Sequence, residues 1–228
     1  MSTRLEKKLM TRQSLMDAVL ELIDEGMGFA SISIREVAKR SGVVPTAFYR
    51  HFTDMEDLAF CLVDEFSLGL RRVLRETRQQ TRSVGPLIRQ SVLIYVEHVQ
   101  QNRGLFRFMS QVISGGSAPL RHSVRNELQF LANELAADVG HLNLLPDLSQ
   151  GMIEWATQLV VNTVTGTTSE LLDLSESNPL EVERLVDKTV RQLQIIFVGA
   201  ANWQPIPKRT PELSKATEQA LLFTAVGH

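Results

Sequence analysis

Apolar side chains recur at intervals of three and four residues along almost the whole chain, and the strict alternation of a half-buried strand is almost nowhere to be found. Leu15, Ala18, Val19, Leu22 and Ile23 share one helix face before Gly26 and Gly28 break the run. Leu58, Leu62, Phe66, Leu70 and Val73 stripe a long helix after Thr53-Asp54, and Gly85-Pro86 ends the linker behind it. Ile88, Val92, Tyr95 and Val99 mark another helix, and Leu105, Phe108, Met109 and Val112 a shorter one. Ser114 to Ser117 reads as a loop, Pro119 as the start of a helix striped by Leu120, Val124, Leu128, Leu131 and Leu135, and His141 to Asp147 as a second loop. The pattern predicts an all-α chain: an N-terminal three-helix unit followed by a larger helical body.

The last two helices, roughly 149–172 and from Asn178-Pro179 onward, carry apolar residues around more than one face. Met152, Ile153, Trp155, Leu159, Val160 and Val164 lie on the first, and Leu185, Val186, Val190, Leu193, Ile196 and Phe197 on the second. A surface helix needs a single stripe, so the excess predicts burial against a second copy of the chain, or else a helix pair buried within one copy. Beyond Trp203 the tail contains Pro205, Pro207 and Pro211. The division expected is a head over 1–53, a body over 54–203 and a proline-containing tail over 204–228.

Composition excludes several classes. The one cysteine, Cys61, forms no internal disulfide and supplies no cysteine-rich zinc site. No apolar run approaches the ~20 residues of a membrane span, and the first residues lack a signal-peptide core, so a cytoplasmic, non-membrane protein is expected. The five histidines show no metal-binding spacing, and no G-x-S-x-G elbow, P-loop or G-x-G-x-x-G occurs. No enzyme, metal or cofactor is expected. The formal charge is −2, but the first 52 residues carry eight Lys/Arg against six Asp/Glu, and Arg4, Lys7, Lys8 and Arg12 face only Glu6 at the very start. A mildly basic head on an acidic body points to phosphate contact at that end.

Within the head, Ser33 and Glu36 are spaced as a capping box that opens a short helix with Ile34, Val37 and Ala38 inward. Gly42 stops it and Pro45 suits the first turn of the next. Two short helices joined through a glycine turn make a helix-turn-helix, whose second helix enters the DNA major groove. At 100° per residue, Phe48 and Phe52 define the inward side of a helix over 44–52, with Thr46 and Arg50 opposite and Ala47 beside them. Arginine pairs with guanine, threonine uses its hydroxyl or methyl, and alanine meets a thymine methyl. Tyr49 and His51 fall on the flanks, where phosphates lie, and Arg35, Lys39 and the basic N-terminus are further phosphate candidates. A plain amphipathic helix would share the polar face but not the capped helix, glycine turn and proline start together.

The stretch Phe29-Ala-Ser-Ile-Ser-Ile-Arg-Glu-Val-Ala-Lys-Arg-Ser-Gly-Val-Val-Pro-Thr-Ala-Phe-Tyr-Arg-His-Phe52 resembles the DNA-binding signature of the TetR family of bacterial regulators. The resemblance implies an all-helical homodimer that binds a pseudo-palindromic double-stranded operator, pairs through its last two long helices and senses a small molecule in the body. It places phosphate contacts on Tyr49 and His51. Where many members carry a lysine near the start of the fourth helix, this chain reads Asp54-Met55-Glu56-Asp57.

Val44 to Met55 with Leu62-Val-Asp-Glu65, and then Asn102-Arg103, Gly115-Gly-Ser117, Leu142 to Pro146 and Trp203, are similar to the branch that represses unsaturated fatty-acid synthesis, the FabR and DesT type. That likeness implies a long-chain acyl-CoA or fatty acid as effector, whose binding moves the Leu58–Val73 helix. Where the branch carries an Arg-Glu pair, this chain has Met109-Ser110-Gln111-Val112. An acyl pocket needs a long apolar cavity with a polar mouth. Phe66, Leu70, Phe106, Met109, Trp155 and Leu159 are candidate lining residues, and Arg103, Arg107 and Arg121 candidate anion contacts. Apolar stripes serve packing first, so core is the competing assignment. A regulator of efflux that senses hydrophobic drugs, and a lipid-binding adaptor with a silent head, are the competing functions.

Overall fold

The computed structural model describes residues 3–78, 84–143, 145–174 and 178–203. Helix α1 spans Arg4–Asp24, and a single 3-10 turn at Phe29–Ser31 leads into α2 (Ile34–Arg40) and α3 (Pro45–Phe48). The body follows with α4 (Met55–Arg78), α5 (Val84–Gln101), α6 (Arg103–Gly115), α7 (Ala118–His141), α8 (Gln150–Asp173) and α9 (Pro179–Ala201). No strand occurs among the described residues.

Local chemistry sets most of the helix ends. Thr3 with Glu6, and Ser33 with Glu36, each form a reciprocal capping box. Ser117, Ser149 and Asn178 each accept an N–H of the first turn of α7, α8 and α9. At the end of α2 the Val43 N–H bonds Ala38 O at 2.9 Å and the Gly42 N–H bonds Lys39 O at 3.2 Å. That pairing requires Gly42 at φ +70°, the left-handed region that glycine enters without strain. The same closure ends α1 at Gly26.

Three boundaries differ from expectation. Ser114 and Gly115 extend α6 instead of forming a loop, and Gly85-Pro86 lies inside the first turn of α5. The helix expected over 44–52 is α-helical only over Pro45–Phe48. Beyond it the backbone tightens: Arg50 N–H bonds Ala47 O at 3.1 Å and His51 N–H bonds Phe48 O at 2.9 Å, both three residues back. The tail call, 204–228, lies outside the described residues.

One apolar core runs without interruption from head to body. Leu15, Val19 and Ile23 of α1 pack with Val37 of α2, with Phe48 and Phe52, and with Leu58 and Leu62 of α4. Further along α4, Phe66 and Leu70 continue that core among α5, α6 and α7. Head and body are also joined along a seam between α1 and α6. A side-chain carbon at Gly104 would stand 2.7 Å from the backbone oxygen of Leu20, so only glycine permits this approach. Beside it, the Gln111 side chain accepts from Phe29 N–H at 2.7 Å and donates to Met27 O at 3.2 Å. Arg107 donates to Asp24 O at 3.0 Å, and the Phe29 and Phe108 rings meet edge-on at 5.2 Å. At the far end of α6, Ser117 Oγ contacts the Glu56 carboxylate, tying the start of α4 to the start of α7.

Candidate functional site

The head presents an outward surface built on a buried aromatic pair. Phe48 and Phe52 are buried with ring centroids 5.5 Å apart, which fixes the direction of everything between them. Pro45, Thr46 and Arg50 are exposed and Ala47 is half-buried. Tyr49 is 62% exposed with its ring edge-on to Phe48, so its phenol is carried at the surface by an aromatic footing. Arg35 and Lys39 of α2 are exposed on the same unit. Val44, exposed at the N-cap of α3, is a surface apolar group that helical periodicity did not single out.

Two head residues depart from the expected placement. His51 does not project freely: it is half-buried, and its Nδ1 is enclosed with no hydrogen-bond partner. Burial, with Lys8, Arg12 and Arg50 nearby, holds its pKa below the ordinary imidazole value. Arg12 is turned inward rather than toward a phosphate. Its guanidinium donates to Cys61 Sγ at 2.7 Å and sits 5.1 Å from the centre of the Phe52 ring. Arg40, the last residue of α2, is taken up by Glu25 and Glu21 at 2.6 and 3.3 Å. The cations left outward on the head are therefore Arg35, Lys39 and Arg50, with Arg4, Lys7 and Lys8 on the exposed first turns of α1.

The body encloses a cavity of about 190 Å³ among α4 to α9. Phe66 and Leu70 of α4, Tyr95 of α5, Phe106 and Met109 of α6, and Leu128 of α7 are on its walls. Val160 of α8 and Leu193 of α9 close the far side. Aromatic rings on its wall meet edge-on, Phe66 on Phe106 at 5.2 Å and Tyr95 on Phe106 at 5.9 Å. Its polar groups include Tyr95, Thr167, Thr168 and Thr189, and Asp138 is the charged side chain among the described lining residues. Burial raises the Tyr95 phenol well above its ordinary pKa, so it stays protonated.

Five lining or contact expectations are corrected. Trp155 and Leu159 are not on the cavity wall; they stand outward on α8, with Trp155 76% exposed. Arg121 is not there either: its guanidinium contacts Gly116 O and closes the turn between α6 and α7. Arg103 likewise serves structure by donating to Leu172 O at 2.7 Å, and Arg107 belongs to the α1–α6 seam. Periodicity marked Trp155 and Leu159 as apolar but could not say which surface would receive them. On the adjacent α9, Ile195 and Val198 are exposed as well, so the helix pair carries a shared uncovered apolar surface. Gln111 and the threonines of the cavity went unflagged as chemistry, since a lone amide or a helical threonine has no sequence pattern.

Among the described residues, no group of three or more His, Cys, Asp or Glu side chains is placed to hold a metal ion. No described helix is long and apolar enough to cross a membrane. Residues 15–60 match the family model described as bacterial regulatory proteins, tetR family, and residues 84–196 match that of the tetracyclin repressor-like C-terminal domain. Solved structures share the fold. The fatty acid degradation regulator FadR from Bacillus halodurans superposes with a TM-score of 0.65 at 16% identity, covering 83% of this chain and 95% of that one. FadR from Bacillus subtilis, in complex with stearoyl-CoA, gives 0.63 at 16% identity over 82% and 98%. GusR from Salmonella enterica gives 0.64 at 20% identity over 86% and 98%. A helix-turn-helix head, a helical body with an internal cavity and two matching family models together establish that the chain belongs to the TetR family of DNA-binding transcriptional regulators and is not an enzyme.

Proposed function

We propose that the chain is an effector-gated repressor of unsaturated fatty-acid synthesis genes, with a head over 1–53 and a sensing and dimerising body over 54–203. The observation that carries the reading is the apolar cavity threaded through α4 to α9, whose long aliphatic and aromatic walls suit an acyl chain. Long-chain acyl-CoA or fatty acid is the effector. The likeness to the stearoyl-CoA-bound regulator supports this choice.

In this reading Arg50 and Thr46 address base edges, Ala47 and Val44 meet thymine methyls, and Tyr49, Arg35 and Lys39 bind phosphates. His51, half-buried beside Lys8, Arg12 and Arg50, lies at the flank where the phosphates pass. Two copies pair through α8 and α9, so the two heads address half-sites of a pseudo-palindrome about one helical turn, ~34 Å, apart or somewhat more. The effector acts only through unequal affinity for two head spacings.

The test is a gel-shift on the DNA upstream of the chain's own gene and on desaturase and fatty-acid synthesis promoters, with acyl-CoAs of differing saturation. Retardation that responds to acyl-CoA is expected, and Arg50→Ala should weaken it by about 1–3 kcal/mol in a sequence-dependent way. Retardation indifferent to acyl-CoA but responsive to hydrophobic drugs would replace the lipid assignment with efflux control. Binding unchanged by Arg50→Ala would remove the head from its assigned role.

A further inference from the structure

Seven hydroxyl side chains interrupt the mainly apolar lining, Ser91 and Tyr95 on α5, Ser110 on α6, Thr165, Thr167 and Thr168 on α8, and Thr189 on α9. Among the described residues Tyr95–Thr168 and Thr167–Thr189 are the two pairs in which one of these hydroxyls meets another. Each threonine donates back to its own helix, Thr165 to Val161 O at 2.8 Å, Thr167 to Thr163 O at 3.0 Å, Thr168 to Val164 O at 3.0 Å and Thr189 to Leu185 O at 2.8 Å, and Ser91 does the same to Leu87 O at 2.7 Å. Thr167 and Thr189 also touch each other at 3.2 Å, which joins α8 to α9 and leaves that pair committed to the protein. Tyr95 and Thr168 form the other pair, Oη against Oγ1, and either oxygen can be the donor.

That ambiguity has a chemical use. A carbonyl four residues back already accepts its helix N–H, so the threonine's extra bond to it is released at small cost. With the Tyr95 proton on Thr168, the phenol turns lone pairs to the cavity. With the Thr168 proton on Tyr95, the phenol turns its O–H to the cavity. One wall therefore serves a bound hydroxyl or a bound carbonyl. A carboxylate fares differently. No Lys, Arg or His is among the described lining residues, and Asp138 bears the same sign as the ligand would. An ionised carboxylate buried without a cation is strongly disfavoured.

We propose that the Tyr95–Thr168 pair is the polar anchor of the cavity, holding a neutral oxygen of an otherwise apolar effector, a hydroxyl or an ester or thioester carbonyl, and discriminating against a free carboxylate. This rests on the effector-cavity reading above and sharpens it: of the two lipid forms, the thioester is the ligand and the free acid is not.

The test uses the full chain and four eight-carbon probes, octan-1-ol, methyl octanoate, n-octane and octanoate at pH 7.5, each displacing the neutral dye Nile red. Octanol and the methyl ester should displace about tenfold more tightly than octane, the size of one net hydrogen bond, and octanoate should be weaker than both. Tyr95→Phe should bring alcohol, ester and alkane together while leaving the octane value in place, a readout that a collapsed cavity could not give. Thr168→Val provides a second variant that removes the phenol's partner and should narrow the same gap. Equal displacement by octanol and octane, a gap that survives both variants, or octanoate as the tightest probe would each overturn the anchor. Dye and octane binding without preference sinks the anchor alone. Failure of the dye and all four probes to bind sinks the effector cavity with it.

Discussion

At the scale of single residues, His51 is where burial and charge meet. Lys8 and Arg12 approach from α1 and Arg50 from its own turn, and burial, the largest influence, adds to their repulsion of an imidazolium. The folded-state pKa therefore lies below the ordinary value of 6.5 while the unfolded chain keeps it. Between those two values the unfolded state binds the extra proton, so this contribution to stability is complete above about pH 6.5 and is lost as pH falls toward the depressed value. Operator binding runs the other way, because phosphates brought near the ring favour its protonation. Thermal unfolding followed from pH 7.5 to 5 should show a falling Tm while operator affinity at constant ionic strength rises, and His51→Gln should flatten both slopes. Parallel slopes in the variant and the parent protein would mean that another group titrates. Arg12 makes a related point: a basic residue in a basic segment looked like a phosphate contact, yet its guanidinium spends its reach on Phe52 and Cys61. Formal charge in a sequence does not say which cations face outward.

Among the elements, α6 has two audiences. Met109 lies on the cavity wall, and two residues on, Gln111 bonds the backbone between α1 and the 3-10 turn at both Met27 and Phe29. Loss of both bonds in Gln111→Ala should lower stability by about 1–3 kcal/mol. It should also shrink the effector's influence on operator affinity several-fold while leaving effector affinity close to that of the parent, measured by dye displacement and gel-shift on one preparation. An undiminished effector response would assign the transmission to α4 alone. How such elements show in a sequence depends on the range of the forces that build them. The caps at Ser33 and Asn178 and the reversals at Gly26 and Gly42 were legible, since each is settled within six residues, whereas Ser117 read as loop and proved to be the N-cap of α7. The length of α3 was not. Tyr49, Arg50 and His51 all tolerate a helix, and the tightening at their backbone comes with burial of Phe52 beneath Arg12 and with Asp54 and Asp57 capping the start of α4. The Gln111 bridge was equally invisible, its partners lying more than eighty residues away.

For the whole molecule, the uncovered surface on α8 and α9 is the face proposed to pair with a second copy. Trp155, Leu159, Ile195 and Val198 leave more large apolar area in water than isolated surface residues would, and a second copy is the partner that the family supplies. Trp155→Glu with Val198→Glu should convert a sedimenting dimer to monomer with the helical content unchanged. Operator affinity should then fall by roughly a hundredfold, since the second head no longer benefits from tethering to the first. A dimer that survives both charges would place the pairing elsewhere. The seam at Gly104 then acquires a consequence on the scale of the pair. A carbonyl oxygen 2.7 Å from where a methyl would stand puts the backbones of α6 and α1 in direct contact. A tilt of α6 would therefore press on α1 and carry the head with it, sweeping α3 through an arc that lengthens with distance from the pivot. In the proposed pair such arcs would be mirrored and would add, so that tilting both copies' α6 would carry the two reading turns out of step with the pitch of the double helix.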